Sequence, residues 1–509
     1  MSERATARWS MIGVLALGSI GSMTTATTVN VALPSISGAF GLGQEEAQWL
    51  STAFLASSTG FMLLSGWAVA AAGMRAAFSV AMLVFVAGGL CGASAQEPAM
   101  LIVGRVMQGA GAGLIQPMAV LVIFTRFPEG ARGLALGVYS LCVIVSPAFG
   151  PAVGGVLVDA FDWRVVFVAT APLGLAAIPL AMSILPPRAA DAGKAKADWV
   201  GIALVIAAIA LTIQGLAHGR REGWDDAGTT ARLWLALALA VAFVGWEARH
   251  PAPALDPRLF RRPGFALAGL TIFASGAAIY ASTFLAPMFV QAVQHYSPTA
   301  AGEALIPAGI AMAVCFPLAG RLSDHTDARL LLCAGLALFG ASMLMMAEGA
   351  TQTEFAAVAT ALALGRAGIG MTMPPANALA MRQAAGLLAQ AAPAATFLSQ
   401  TGGALGVALA SVLLEERTAF HADAMAPMLN EANAQLGDAV AGIRAALATG
   451  GVHPGMADAA AVARIGAAAR ASAQLLAFRD CFFVLGAGFL ALAPVAILLP
   501  GRVRATQIG

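Results

Sequence analysis

A single arginine stands inside a long apolar stretch of the sequence. Arg105 lies within residues 98–123, whose other members are nearly all apolar or small, and Gln108 follows three positions later. Residues three apart share one face of a helix, so the two side chains are expected to meet. A cation near the middle of a membrane span costs about 2.5–3.5 kcal/mol on the insertion scale and therefore faces a bundle interior or a water-filled cavity. We interpret Arg105 as functional; a purely structural partner of backbone carbonyls is the alternative.

Carboxylates that could bind a proton are few in the apolar stretches. Our candidates, which lie inside or at the edges of these stretches, are Asp159, Glu247, Glu303 and Asp480. Burial penalises the charged form of a carboxylate, so a buried one can take up a proton. We favour Glu303, which lies about one turn inside the outer end of its stretch. An interfacial carboxylate that reaches water is the alternative.

The composition excludes a soluble protein. Hydrophobic residues make up 59% of the chain and charged residues 11%, against roughly 25% charged residues in soluble domains. The formal net charge is +2 and there is no long basic run, which argues against a nucleic-acid partner. The five cysteines stand singly and the six histidines lie near predicted loops. We therefore predict no metal site, no cofactor and no enzymatic activity.

Fourteen apolar stretches are long enough to cross a bilayer core, which takes about 20 residues. They cover residues 9–33, 47–72, 76–96, 98–123, 133–157, 164–185, 199–218, 230–248, 264–292, 299–320, 329–348, 354–376, 393–414 and 480–500. An even number places both termini on one side, and Arg and Lys are concentrated in the loops of that side. This asymmetry predicts that both termini are cytoplasmic and that the long segment 415–479 lies outside.

An internal repeat predicts how the spans are organised. The Gly104-Arg105 pair recurs as Gly365-Arg366, and Gly66 recurs as Gly320 about 254 residues later. Six spans occupy fewer residues than that offset, which leaves room for two further helices between the halves. We expect an all-α membrane protein with a six-helix bundle in residues 1–190, two inserted helices in 191–260 and a second six-helix bundle in 261–509. A binding site at the midplane between the bundles is typical of such repeats.

Glycine and proline are concentrated at the end of the fifth stretch. Glycines four apart allow close helix approach, and prolines permit bending. The residues are Pro147, Gly150, Pro151, Gly154 and Gly155. Ordinary packing of small residues is the alternative interpretation.

Several segments together resemble one family. The sequence TTVNVALP at 27–34, which contains Asn30, the sequence GRVMQG at 104–109 and the glycine-proline segment at 147–155 are similar to motifs of the major facilitator superfamily. The similarity extends over the whole chain and is to the fourteen-spanner branch of the drug:proton antiporters. It implies that Arg105 acts in proton coupling or substrate response and that residues 147–155 form the antiporter motif.

The loop motif of the same family is recognisable in its second copy. Gly320, Asp324 and Arg329 resemble this motif, which implies that their charges latch neighbouring helix ends in one access state. A solvated turn is the alternative. Arg366 is the pseudo-equivalent of Arg105, and its alternative is a side chain that snorkels to the membrane surface.

The sequence departs from the family pattern at three positions. Thr25 and Ala70 stand where the family usually has acidic residues, and Met74 stands where it usually has a basic one. The carboxylate that would couple protons is therefore left open, with Glu303 as our candidate. The missing acid in the first span also makes neutral or anionic substrates as plausible as cationic drugs.

The resemblance implies a bacterial inner-membrane exporter of hydrophobic or amphipathic small molecules, driven by proton antiport with alternating access. The expected partners are the small-molecule substrate, protons and the lipid bilayer, and segment 415–479 makes a periplasmic adaptor a candidate. A dedicated metabolite carrier of the same fold and a membrane sensor without transport are the alternatives.

Overall fold

The computed structural model describes residues 2–188, 196–294, 298–349, 355–384, 386–429, 434–449 and 453–498, and the regular structure in these ranges is helical. The α-helices are α1 (Ser2–Phe40), α2 (Gln44–Met62), α3 (Ser65–Ala93), α4 (Pro98–Arg126), α5 (Glu129–Ala160), α6 (Val165–Val168), α7 (Ala171–Ile184), α8 (Trp199–Glu222), α9 (Ala227–Glu247), α10 (Pro257–Phe260), α11 (Pro263–Ala292), α12 (Pro298–His325), α13 (Ala328–Gly349), α14 (Phe355–Gln383), α15 (Leu388–Met425), α16 (Ala434–Thr449) and α17 (Pro454–Leu492). Short 3₁₀ turns follow α15 and α17 at Ala426–Leu429 and Ala493–Leu498.

Twelve of the described helices are long and apolar enough to cross a membrane. The predicted class, an all-α membrane protein, is confirmed. The two predicted spans that do not reach this threshold are nevertheless helical, in α2 and α5. Helix α2 has 19 residues rich in Ser, Thr and Glu, and the apolar part counted in α5 covers only Gly130–Val143. The described residues thus contain twelve candidate spans, and the count of fourteen stays a prediction.

Helix α3 is broken at a glycine between the second and third predicted spans. Gly73 has φ of 81° and ψ of 160°, and it divides α3 into two helices. A methyl group at Gly73 would lie 2.6 Å from the Cα atom of Arg188. The positive φ and the close backbone approach both require glycine here. The next turn is held by Arg75, whose Nε donates to the Leu185 carbonyl at 2.9 Å.

The helices before the connector 185–198 pack mainly with one another, as do those from α11 onward. Helix α1 packs against α4, α5 and α7, and α3 packs against α4. In the second group α11 packs against α14 and α15, and α13 packs against α14 and α17. The two groups meet chiefly where α5 crosses α12 and where α15 contacts α2 and α4.

Helices α8 and α9 form a hairpin that rests on both groups. Helix α8 contacts α2 on one side and α15 on the other. Asp198 caps α8 by accepting the N–H of Gly201 at 2.8 Å, and Asp226 caps α9 by accepting the N–H of Thr229 at 2.9 Å. That backbone hydrogen bond lowers the pKa of the Asp226 carboxyl. Capping of both helices fixes where the hairpin begins and turns.

Two helices extend well beyond the thickness of a bilayer. Helix α15 has 38 residues and α17 has 39, so each is about 57 to 59 Å long at 1.5 Å per residue, against roughly 30 Å of hydrocarbon. Their extensions fall in the predicted external segment 415–479. The extensions are joined at Asp480, whose Oδ2 lies 2.5 Å from Nε of Arg417 and 2.8 Å from Nε2 of His421. One of the four candidate proton-binding carboxylates is therefore already ion-paired.

Candidate functional site

The Arg105 side chain joins three helices of the first group. It is completely buried on α4, where its Nε donates to the Leu50 carbonyl at 3.0 Å. Its Nη1 donates to the Thr25 carbonyl at 3.4 Å and to Oε1 of Gln108 at 3.2 Å. The guanidinium also stacks on the Phe54 ring, with Cζ 4.3 Å from the ring centroid. These contacts connect α4 to α1 and α2.

The Arg105 network has one unused donor and no acidic partner. Nη2 of Arg105 is buried without a hydrogen-bond acceptor, and no carboxylate in the described part of the chain forms an ion pair with this side chain. Gln108 extends the network by donating from Nε2 to the Phe167 carbonyl at 3.0 Å. A buried cation without a counter-charge is costly, so a site of this kind favours water or an electron-rich ligand group nearby.

Threonine hydroxyls occupy the position where the motif resemblance leads us to expect an acid. Oγ1 of Thr25 donates to the Gly21 carbonyl at 2.9 Å and lies 2.5 Å from Oγ1 of Thr170. Thr25 is fully buried. These groups do not titrate in the physiological range, so this strip provides hydrogen bonds but no exchangeable charge.

Asn30 lies apart from the arginine network. It is exposed near the end of α1, and its Oδ1 accepts a hydrogen bond from Ser51 Oγ at 2.7 Å.

Arg366 occupies a position in the second group that parallels that of Arg105. It donates from Nη1 to the Ile279 carbonyl at 3.4 Å and from Nη2 to Oγ1 of Thr283 at 2.5 Å. Both acceptors are on α11, the first long helix of its group, as Thr25 is on α1. The internal repeat therefore has a structural counterpart in how each arginine holds its neighbouring helix.

The glycines of the antiporter-like segment lie at the contact between α5 and α1. A methyl group at Gly150 would lie 2.9 Å from the Thr24 carbonyl oxygen, and one at Gly154 would lie 2.9 Å from that of Thr28. A methyl group at Gly155 would meet nothing within 4 Å. The side chains of Pro147 and Pro151 lie outside the described part of the structure. Two of the three glycines are thus required by helix packing.

Both loop-motif glycines lie where the two helix groups touch. A methyl group at Gly320 would lie 2.5 Å from the carbonyl carbon of Gly133 on α5, and one at Gly66 would lie 2.4 Å from the Ala389 carbonyl oxygen on α15. Close contacts between backbones at these two places close the molecule on this face, which we call the loop-motif face. Arg329 donates from Nη1 to the Ile497 carbonyl at 3.4 Å, while the Asp324 side chain lies outside the described residues.

Glu303 is exposed on α12. The structure gives it no ion pair or hydrogen bond with any residue that it describes. This placement leaves its candidate role in proton coupling a prediction.

A large apolar cavity of about 900 Å³ lies between the two groups, away from the loop-motif face. Helices α2, α8, α11, α15 and α17 contribute to its wall. Its apolar lining includes Leu55, Leu216, Phe284, Met288 and Phe478. Leu55 follows Phe54, the residue that stacks on Arg105, so α2 separates the cavity from the buried arginine. This size and lining suit a drug-sized amphipathic molecule.

The rim of the cavity is polar and includes an ion pair from α8 to α15. Nε of Arg220 lies 2.8 Å from Oε2 of Glu415, and Nη1 of Arg220 donates to Ser411 Oγ at 2.5 Å. Arg470 of α17 also lines the cavity and is exposed. The sequence analysis treated Arg220 only as a loop charge, because nothing in a single sequence indicates that α8 packs beside α15.

Comparison with known proteins agrees with this architecture. The family model described as Major Facilitator Superfamily matches residues 15–411, well over half of the chain. The chain belongs to the Major Facilitator Superfamily. The family expected from the sequence motifs is confirmed. Membership also identifies the protein as a multi-pass membrane transporter.

The relatives of this superfamily member include named export proteins. The chain is 30% identical over 410 residues to the multidrug resistance protein B homolog of Mycobacterium tuberculosis (strain H37Rv), covering 79% of this chain and 75% of that protein. It is 27% identical over 423 residues to the multidrug export protein EmrB of Haemophilus influenzae, covering 82% and 83% of the two chains. The structure of the proton:xylose symporter XylE shares the fold, with a TM-score of 0.57, 14% identity and coverage of 98% and 97%.

Proposed function

We propose that this protein exports hydrophobic or amphipathic small molecules across the bacterial inner membrane by proton antiport. The observation that carries the proposal is the 900 Å³ cavity between the two helix groups, with its apolar wall and polar rim. Relatives named for multidrug export support the same conclusion. Apolar and aromatic walls accept varied ligands because their contacts are not directional.

The charge of the cavity favours neutral or anionic substrates. Arg220 and Glu415 neutralise each other at the rim, which leaves Arg470 as the additional charge among the lining residues. Beyond the cavity wall, Arg105 has no acidic partner among the described residues. A cationic drug would need a buried carboxylate as its counter-charge, and the described lining offers only the paired Glu415.

The transport cycle follows from the arrangement of the two groups. We propose that residues 1–190 and 261–509 are the two bundles, that 191–260 is an inserted hairpin, and that both termini and the loop-motif face are cytoplasmic. The contacts of Gly320 with Gly133 and of Gly66 with Ala389 then close the inner side, while the cavity opens towards the outer side. Separation of these contacts would give the opposite access state.

Arg105 would couple the access state of the protein to the position of α2, which forms part of the cavity wall. Its bonds to the carbonyls of Leu50 and Thr25 hold α2 and α1 in register with α4. The antiporter-like glycines Gly150 and Gly154 let α5 slide along α1 at the other side of the same bundle. The long outer extensions of α15 and α17 are the surface on which a periplasmic adaptor would bind.

The test is dye efflux from cells that express the protein, with and without an uncoupler. Met288→Trp fills the apolar wall of the cavity and is expected to lower efflux at least tenfold. Met182→Trp is the matched control, since Met182 is on α7, is 51% exposed and does not line the cavity. Equal loss of efflux in both variants would show that the cavity is not part of the transport path.

A further inference from the structure

Two buried carboxylates face each other where the inserted hairpin begins and ends. Asp198 caps α8 and Glu247 ends α9, and each residue is 3% exposed. A methyl group at Gly201 would lie 2.5 Å from Oε1 of Glu247 and 2.7 Å from Oδ2 of Asp198. The two oxygens therefore lie no more than about 5 Å apart, and Gly201 places no side chain between them.

The two carboxylates differ in how well they are hydrogen-bonded. Asp198 accepts from the Gly201 N–H at 2.8 Å and from the indole Nε1 of Trp246 at 2.9 Å to Oδ1 and 3.1 Å to Oδ2. Glu247 accepts from the Leu255 N–H through Oε2 at 3.1 Å. Its Oε1 is buried without any partner. An ionised carboxylate oxygen in this position would be left without a donor, which is costly.

No lysine or arginine among the described residues balances the pair. Within the part of the chain that the structure describes, no Lys or Arg forms an ion pair with either carboxylate. Nδ1 of His250 lies 3.6 Å from Oδ2 of Asp198, beyond hydrogen-bond distance, and it accepts the Ala252 N–H at 3.3 Å. Asp256, also buried, adds negative charge at Glu247.

The helices packed against this junction contribute apolar groups. Leu63, Leu64 and Phe397 form a buried cluster with Ile202 of α8 and Phe243 of α9. The nearby ring of Trp199 contacts that of Trp67, with centroids 5.8 Å apart. Two like charges in such surroundings repel strongly, because little solvent screens them.

We propose that Asp198 and Glu247 form a proton-binding site, in which Glu247 holds the proton and donates it towards Asp198. The site takes one proton from solution and releases it as Glu247 ionises, so no other reactant is needed. Its ionisation places two negative charges side by side and loosens the hairpin from Leu255, which lies between α9 and α10.

The site lies beside the contact that closes the loop-motif face. Leu64 packs on the hairpin, and two residues further along the chain Gly66 contacts the Ala389 carbonyl. Proton release is therefore expected to weaken this closed contact and to favour separation of the two groups. The influence on transport rests on the proposed export function, whereas proton binding itself does not.

Infrared difference spectroscopy of the purified full-length protein between acidic and alkaline pH tests the site directly. The wild type is expected to show a protonated-carboxyl component that Glu247→Gln removes from the difference spectrum. Glu222→Gln is the control, since Glu222 is exposed at the opposite end of α8, and it is expected to retain the band. A difference spectrum that Glu247→Gln leaves unchanged would overturn the proposal, as would a wild type without any protonated-carboxyl band.

A second variant keeps the test decisive if Glu247→Gln folds poorly. Asp198→Asn keeps an acceptor for Gly201 and Trp246 but removes the neighbouring charge, so Glu247 should ionise at lower pH, by at least about one unit. An unchanged midpoint would contradict the pairing. Dye efflux is measured separately on the same variants; a protein that binds the proton but moves no dye refutes the export proposal and leaves the site intact.

Discussion

Closure of the loop-motif face depends on the absence of a side chain at Gly133. A methyl group there would lie 2.3 Å from the carbonyl carbon and 2.4 Å from the Cα atom of Gly320. Carbon atoms in contact normally lie about 3.5–4.0 Å apart, so Gly133→Ala requires α5 and α12 to separate by more than about 1 Å. Both contacts are with backbone atoms, which cannot move aside as the end of a flexible side chain can. Overpacking of this kind costs about 1–3 kcal/mol.

The cost falls on the closed state alone, because the contact exists only when the two helix groups meet. Gly133→Ala is therefore expected to shift the population towards the open state by roughly 5- to 150-fold and to slow efflux. The matched control is Gly130→Ala on the same helix, where a methyl group would meet nothing within 4 Å and helix propensity favours alanine.

Electron-spin distance measurements between labels at Arg126 and Arg321 report the separation of the two groups. Both residues are exposed near the ends of α4 and α12. We expect a longer distance component in Gly133→Ala and the wild-type distribution in Gly130→Ala. Identical distributions in the wild type and Gly133→Ala would refute the account of how this face closes.

Four further predictions follow from the site. Arg105→Lys keeps the charge but replaces the separate Nε and Nη1 donors, which reach α2 on one side and α1 and Gln108 on the other, with a single nitrogen, so efflux should fall at least tenfold while membrane expression, read by immunoblot, is retained. Arg220→Glu and Glu415→Arg should each lower efflux, and the double variant should restore it, because their 2.8 Å contact is reformed. Failure of the double variant to restore efflux would exclude the pair as a rim contact. Glu303→Gln should abolish proton-driven uptake in inverted vesicles if this carboxylate couples protons, and retained uptake would exclude it. Gly66→Ala should open the loop-motif face as Gly133→Ala does, since its methyl group would lie 2.4 Å from the Ala389 carbonyl oxygen.

The membrane fold was accessible from sequence because each span has to be apolar on its own. The stretches 199–218 and 230–248, for example, coincide with α8 and α9. The break at Gly73 was also expected, because the apolar residues from 47 to 96 are too many for one span. The predicted spans therefore end at 72 and begin again at 76. Helix lengths outside the bilayer were not predicted, because the Ala-rich extensions of α15 and α17 carry no length constraint from lipid.

The candidate site was only partly predictable. Arg105 and Gln108 were found because a charge in an apolar helix is conspicuous and their spacing places them on one face. The cavity was not found, since its wall combines residues from α2, α8, α11, α15 and α17 that are distant in sequence. Glu247 was among the candidate carboxylates, but its pairing with Asp198 was missed for the same reason: the two residues are 49 positions apart, and only the turn of the hairpin brings them together.

The central claim is that the cavity between the two helix groups carries small molecules outward at the expense of the proton gradient. Dye efflux from cells that express the wild type or Met288→Trp, each with and without an uncoupler, tests it most directly. We predict efflux that either the uncoupler or the cavity substitution lowers at least tenfold, while Met182→Trp transports as the wild type does. A correctly inserted wild type that exports no dye, or export that persists after the uncoupler and in Met288→Trp, would contradict the account.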